Sequence, residues 1–333
     1  MDRNSFRFAR RGGFTLVELI VVIGIIGVLA GVLLTSFSGG TESARAAKCL
    51  ANMRNLAQGA IGHAAANDHF PYAGSHASIG ADNNGTIYHE RIGWISWLSK
   101  NDEYNTRRRS GGSAKSFQKL SNISACCEND EDAAFAITNG TLWKFVGQNR
   151  ETYVCPVHAS RASKLHGVKA RFSYAMSAYF GYDWTQGSKA ATSDGAGWIT
   201  MNAGRLDRRL LFAELPFAIP NANDGKNEVP DDVAYSTAND TYLADCTLQY
   251  KASVNGKSYN SDWGGSAEAI AFNHKSGKRY CAHVAFADGH IEKLLLPKGS
   301  VGLDSVQLTA LLAGGVDVSF DGSVYNLVTD GDK

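Results

Sequence analysis

The amino-acid sequence predicts an α+β protein in which a long N-terminal α-helix, transmembrane in its first part, packs on a head built around an antiparallel β-sheet. Three observations carry this. The run Phe14–Phe37 is apolar apart from one charge, Glu18, and exceeds the roughly 20 residues a helix needs to cross a bilayer core. Beyond it, Ala46, Leu50, Met53, Leu56, Ala57, Ala60 and Ile61 recur in steps of three and four, the period of one helical face. Further on, Leu210-Leu211-Phe212-Ala213-Glu214 reads as a buried strand, and His283 to Glu292 as a hairpin turning at Asp288-Gly289, a pair favoured in tight turns.

Each element follows in order. Residues 1–13 form a basic leader, with Arg3, Arg7, Arg10 and Arg11 against a single Asp2. Residues 14–37 form the membrane span, and the basic flank places the N-terminus on the cytoplasmic side. Residues 38–67 continue the helix, with Ser38-Gly39-Gly40 as a point where it could loosen. Residues 68–333 are the exported head, long enough for one large or two small cores. Within it, Ile92–Leu98 reads as a short buried helix, and His283, opposite Val284 and Phe286 on its strand, reads as solvent-facing.

Charge excludes one class of function. The chain carries 33 basic and 32 acidic residues. Without residues 1–13, four basic and one acidic residue leave, so 29 face 31 and the net charge is about −2. Nucleic acid is therefore not expected as a main partner, because that needs a concentrated basic surface. The one basic cluster, Arg107-Arg108-Arg109, runs into Ser110-Gly111-Gly112-Ser113 and reads as a solvated loop.

The order of features at the N-terminus is specific. A secretory signal places its small residues after a short apolar region; here Gly12 and Gly13 precede a long one. Cleavage there would leave the hydrophobic helix on the mature chain. This arrangement resembles the class III signal of type IV prepilins and type II secretion pseudopilins. The resemblance implies a prepilin peptidase that cuts after Gly13 and N-methylates Phe14, an inner-membrane protein with its head in the periplasm or on an extracellular filament, and partners among other pilin-like subunits and a secretion or pilus assembly platform. It also implies an assembly role for Glu18. A carboxylate within a membrane helix costs about 2.5 kcal/mol or more, and in that family the corresponding glutamate pairs with the terminal amine, here on Phe14, of an adjacent subunit. Snorkelling of Glu18 to the headgroups is the plainer alternative.

Toward the carboxy terminus, Phe272-Asn273-His274 and Phe286-Ala287-Asp288-Gly289-His290 are similar to the H-X9-DG segment that ends large pilin-like proteins of the Planctomycetes, Verrucomicrobia and Lentisphaerae; the matching stretch is 272–296. The spacing departs from that pattern, since thirteen residues rather than nine separate His274 from Asp288. Either a longer loop between paired strands absorbs the excess, or His274 is not the equivalent residue.

The remaining chemistry is sparse. No nucleophile elbow, phosphate loop or dinucleotide fingerprint is present, so the chain is not expected to be an enzyme or to need a cofactor. His274, Asp288 and His290 are metal-compatible, although Asp288 has the simpler task of capping its turn. The acidic stretch Asn221 to Asp245, with Asp224, Asp231, Asp232 and Asp240, is a candidate for calcium without the ordered spacing of an EF-hand. The six cysteines, Cys49, Cys126, Cys127, Cys155, Cys246 and Cys281, would meet an oxidising compartment after export and are candidates for disulfides. An alternative function is a membrane-anchored surface module that binds glycan or another envelope polymer through Trp94, Trp97, Trp184, Trp198 and Trp263.

Overall fold

A computed structural model describes residues 15–73, 93–95, 130–166, 170–180, 199–214, 246–248, 250–260, 269–296 and 303–328, with side chains 32–41 and a few others left aside. The fold is α+β. Helix α1 (Leu16–Asn67) runs unbroken through Ser38-Gly39-Gly40. The chain divides into two units, residues 1–44 and 45–333.

In the first unit, the helix starts with a capping box that the sequence carries as Thr15-x-x-Glu18. The Thr15 N–H and Oγ1–H both donate to Glu18 Oε2 at 2.8 Å, and the Glu18 N–H donates to Thr15 Oγ1 at 3.3 Å. Two of the donors left over at a helix start are satisfied reciprocally. From Leu16 to Leu29 the large apolar side chains are exposed around the helix, from 46% at Val22 to 73% at Leu16. Among the described residues no helix is long and apolar enough to cross a membrane. The apolar side chains are described only through Gly31, so 32–37 of the expected span lie outside them.

In the second unit, α1 buries Cys49, Asn52, Met53, Leu56, Ala57, Ala60, His63 and Ala64. This face is rotated slightly from the one expected, with Leu50 and Ile61 at its margins. Two polar anchors account for the shift. Asn52 Nδ2 donates to the carbonyls of Glu151 and Val154, both at 2.9 Å, and Cys49 enters a buried polar cluster. Alanine dominates the rest of this segment and costs nothing in side-chain entropy. The helix ends where Asp68 turns left-handed, at φ 62°.

Among the described residues two further helices precede the sheet, α2 (Asp130–Thr138) and α3 (Pro156–His166). The sheet is built from β1 (Tyr174–Ser177), β2 (Leu210–Glu214), β3 (Thr247–Leu248), β6 (His274–Ser276), β7 (Arg279–Phe286) and β8 (Ile291–Leu295). It is antiparallel except for the short parallel pair of β1 with β3. A small hairpin joins β4 (Lys251–Val254) to β5 (Lys257–Asn260). Helix α4 (Ser305–Ala313), started by a capping box between Asp304 and Gln307, leads to a second hairpin of β9 (Val318–Phe320) and β10 (Tyr325–Leu327).

Strand β7 organises the sheet. It pairs with β8 along one edge from Cys281 to Ala285, so β2, at Leu210 to Ala213, and β6, at His274 to Ser276, must share its other edge end to end. Glu214 closes one of these strands and His274 opens the other. The Ala271 N–H donates to the Glu214 carbonyl at 3.1 Å and bridges the gap.

Several expectations need correction. His283 does lie opposite Val284 and Phe286, but it is buried rather than solvent-facing, because both faces of β7 are covered. Gly93, Trp94 and Ile95 are not helical; Gly93 makes a bridge to Tyr72, and Trp94 is fully buried. The expected longer loop between His274 and Asp288 is also absent. Lys275 pairs with Tyr280 and Ser276 with Arg279 around a tight turn at Gly277-Lys278, so the extra residues extend two strands. Arg107 to Arg109, Asn221 to Asp245, Trp97, Trp184, Trp198 and Trp263 lie outside the described residues.

Gly140 is a point where no side chain fits. A Cβ there would collide with the Trp94 carbonyl oxygen and lie 2.9 Å from Ile95 Cα, both backbone atoms that cannot rotate away. Gly140→Ala is expected to lower stability by about 3 kcal/mol or more, at the upper end of overpacking effects, read as a shift of the urea midpoint. A loss below about 1 kcal/mol would show that this approach of two segments is soft.

Candidate functional site

Among the described residues two regions hold chemistry. The first is the N-terminal segment, where Glu18 is the only acidic residue of the apolar run. The structure places its carboxylate on the Thr15 backbone and hydroxyl, an arrangement that neither the assembly reading nor the snorkelling reading of this residue anticipated. The signal was in the sequence, since Thr-x-x-Glu before an apolar run marks a capping box. Gly13 and Phe14 lie outside the described residues.

The second region lies where α1 meets one face of the sheet. Tyr174 and Glu214 are paired across β1 and β2, and His274 is paired with Cys281 across β6 and β7. Cross-strand partners point to the same side. The pleat therefore brings Tyr174, Glu214, His274, Cys281 and His283 to one face, and the rings of His274 and His283 lie 4.8 Å apart. Cys49 reaches this face from α1, and Cys155 from the residue just before α3, where its N–H donates to Ser173 Oγ at 2.6 Å.

The contacts among these groups are close. His274 Nε2 lies 2.6 Å from Glu214 Oε1, 3.2 Å from Cys49 Sγ and 3.7 Å from Cys155 Sγ. Cys49 Sγ donates to Glu214 Oε1 at 2.5 Å. Asn273 Nδ2 donates to the other carboxylate oxygen, Oε2, at 3.0 Å, and the Tyr174 hydroxyl donates to Cys49 Sγ at 3.2 Å. Cys49, Cys155, Glu214 and His274 are all at 0% exposure. Their donor atoms lie within 4.8 Å of one another.

Burial and charge compete here. Burial alone would raise the Glu214 pKa, but the His274 charge and hydrogen bonds from His274, Cys49 and Asn273 outweigh it and hold the carboxyl low. For His274, burial favours the neutral ring, and the adjacent carboxylate reverses that and raises its pKa. A buried carboxylate and a buried imidazolium thus stabilise each other, as buried charges must. Burial pushes the Cys49 thiol up. Burial also acts upward on Cys155, but the hydrogen bond from Cys49 and the neighbouring His274 bring it below its ordinary value. His283, desolvated and facing the His274 charge, is pushed down to about 4 and is neutral at pH 7.

The metal-compatible residues anticipated from sequence are divided by the fold. His274 joins the buried cluster. Asp288 and His290 sit in the turn after the far end of β7, beyond roughly 17 Å of strand at about 3.3 Å per residue. There Asp288 Oδ1 accepts from the His290 N–H at 3.1 Å and meets His290 Nδ1 at 2.6 Å, while His290 Nε2 faces Glu292 Oε1 at 3.4 Å. Both ring nitrogens are engaged by carboxylates, and Gly289 supplies the left-handed residue at φ 93°. Asp288 thus does the turn-capping work.

The disulfide expectation is corrected for three cysteines. Cys49, Cys155 and Cys281 are free thiols, all buried. Cys49 and Cys155 are near neighbours joined by a hydrogen bond rather than a covalent one, and Cys49 also engages Glu214 while Cys155 meets His274. Cys246 sits elsewhere in the core, its carbonyl accepting from Trp94 Nε1 at 2.9 Å. Cys126 and Cys127 lie outside the described residues. Glu214 was not anticipated as a functional residue. A lone acid closing an otherwise apolar strand, Leu210-Leu211-Phe212-Ala213-Glu214, was the available signal, since a fully buried carboxylate needs a partner.

Comparison with known proteins bears on the N-terminus. Residues 8–34 match the family model of the prokaryotic N-terminal methylation motif. No curated protein and no solved structure matches the chain. The match supports a prepilin-type pilin and, with it, a membrane-anchored N-terminal helix.

Proposed function

We propose that the chain is a pilin-like structural subunit. A prepilin peptidase cuts it between Gly13 and Phe14 and methylates the new terminus, and the mature protein assembles from the inner membrane into a type II secretion pseudopilus or a type IV pilus-like filament. The observation that carries this reading is the methylation-motif match over residues 8–34 at the head of a helix that presents apolar side chains all round from Leu16 to Leu29. A helix apolar on every side is a membrane span or the core of an assembly, and a filament subunit uses the same surface for both in turn. On this reading the protein is not an enzyme, and the head is the part displayed. The glycan-binding alternative loses one of its stacking candidates, because Trp94 is wholly inside the core.

Mass spectrometry of protein purified from the native membrane tests the processing step. The expected N-terminal peptide begins at Phe14 and carries one added methyl group. A chain that retains Gly12-Gly13 in the membrane fraction would overturn the reading.

A further inference from the structure

We propose that Cys49, Cys155, Glu214 and His274 form a structural zinc site that staples the membrane-distal part of α1 to the sheet of the head. The four donors come from four separate parts of the chain: α1, the residue before α3, the end of β2 and the start of β6. Among the described residues they are the group of metal-compatible side chains that converges. Two sulfurs, one imidazole nitrogen and one carboxylate oxygen are a donor set that suits zinc, a borderline-soft ion that takes S, N and O ligands in a tetrahedron. Four protein ligands and complete burial leave no open position for substrate, which marks the site as structural rather than catalytic.

The dimensions agree. A tetrahedron with Zn–S of about 2.3 Å and Zn–N or Zn–O of about 2.0–2.1 Å has edges of about 3.3–3.8 Å. The edges here run from 2.5 Å, between Cys49 Sγ and Glu214 Oε1, to no more than 4.8 Å. An ion at the centre requires the two short edges at Glu214 to open by up to about 1 Å, the 3.2 Å edge between His274 and Cys49 to open by a few tenths of an ångström, and an edge near the 4.8 Å bound to close by about 1 Å. The outer contacts also suit a metal site: Asn273 Nδ2 orients the carboxylate and the Tyr174 hydroxyl donates to Cys49 Sγ, and such partners fix ligands in place.

Charge balances as follows. Without metal, two thiols, one imidazolium and one carboxylate sum to zero. Zinc binding displaces the two thiol protons and the imidazolium proton to solvent, leaving two thiolates, a neutral imidazole, a carboxylate and Zn2+, a net of −1. No oxidant or reductant is involved.

The test uses the full chain, purified in detergent without chelators from cells grown with zinc. Elemental analysis is expected to find about one zinc per chain, and absorption at the zinc edge a first shell of two sulfurs at about 2.3 Å and two lighter atoms at about 2.0–2.1 Å. Cys155→Ser and His274→Ala should each lower zinc content at least about tenfold, given that loss of an outer-shell partner alone costs 10–100-fold in affinity. Cys281→Ser, a buried cysteine outside the four, should keep it. The measurements on the unmodified chain stand even where a variant fails to fold. Absence of metal, stoichiometric iron or copper in place of zinc, or a Cys49–Cys155 disulfide in the unmodified protein would each overturn the proposal.

Discussion

Replacing Glu18 with alanine is expected to leave cleavage and membrane insertion intact and to reduce filament assembly at least about 100-fold. Removing one partner of a buried charge pair costs about 3–5 kcal/mol, and about 1.4 kcal/mol is a tenfold change. In the proposed assembly, Glu18 accepts the Phe14 amine of a neighbouring subunit within lipid, where nothing else compensates either charge. The capping box adds a second role, which must be separated from the first. Thr15→Ala removes the same cap from the helix start, at a cost of about 1 kcal/mol, and should still assemble. Quantifying sheared filaments against total processed protein separates the two. Normal assembly by Glu18→Ala, or equal defects in the two variants, would remove the amine-pairing role.

Trp94→Ala should produce the largest loss of head stability among single substitutions, about 3–5 kcal/mol. The indole is fully buried, stacks on Tyr153 at 5.7 Å between centroids and meets Phe212 edge-on at 5.0 Å. Its Nε1–H donates to the Cys246 carbonyl at 2.9 Å, which also accepts from the Met176 N–H at 3.0 Å, so truncation also removes one of that buried acceptor's two hydrogen bonds. One side chain therefore ties together the turn that ends in Tyr153, the central strand β2 and the entry to β3. Urea unfolding followed by far-UV circular dichroism gives the number. Trp94→Phe, which keeps the ring and loses the donor, should recover more than half of it; a loss below about 1 kcal/mol in the alanine variant would contradict this account of the core.

The N-terminal helix, strand β2 and the β7–β8 hairpin were legible from sequence because each depends on a short-range period: three to four residues, unbroken apolarity, or Asp-Gly between paired runs. The exact buried face of α1 was less so. Its apolar residues admit a small rotation, and the rotation is set by Asn52 and Cys49 finding polar partners more than 90 residues away. The burial of His283 was misread for a similar reason. Alternation reports which side of a strand a residue takes, and not whether another layer covers that side.

Of the buried cluster, the cysteines and His274 drew notice as residue types, and their sequence neighbours suggested other partners. Sequence alone determines the processing motif, the helix cap at Thr15 and Glu18, and the long apolar surface, since these are encoded within one or two turns of a single helix. Only the tertiary structure decided that His274 leaves Asp288 and His290 for Cys49, Cys155 and Glu214. That choice follows from β2 and β6 lying end to end along one edge of β7, with α1 across their shared face, and no local pattern in the chain records such a juxtaposition.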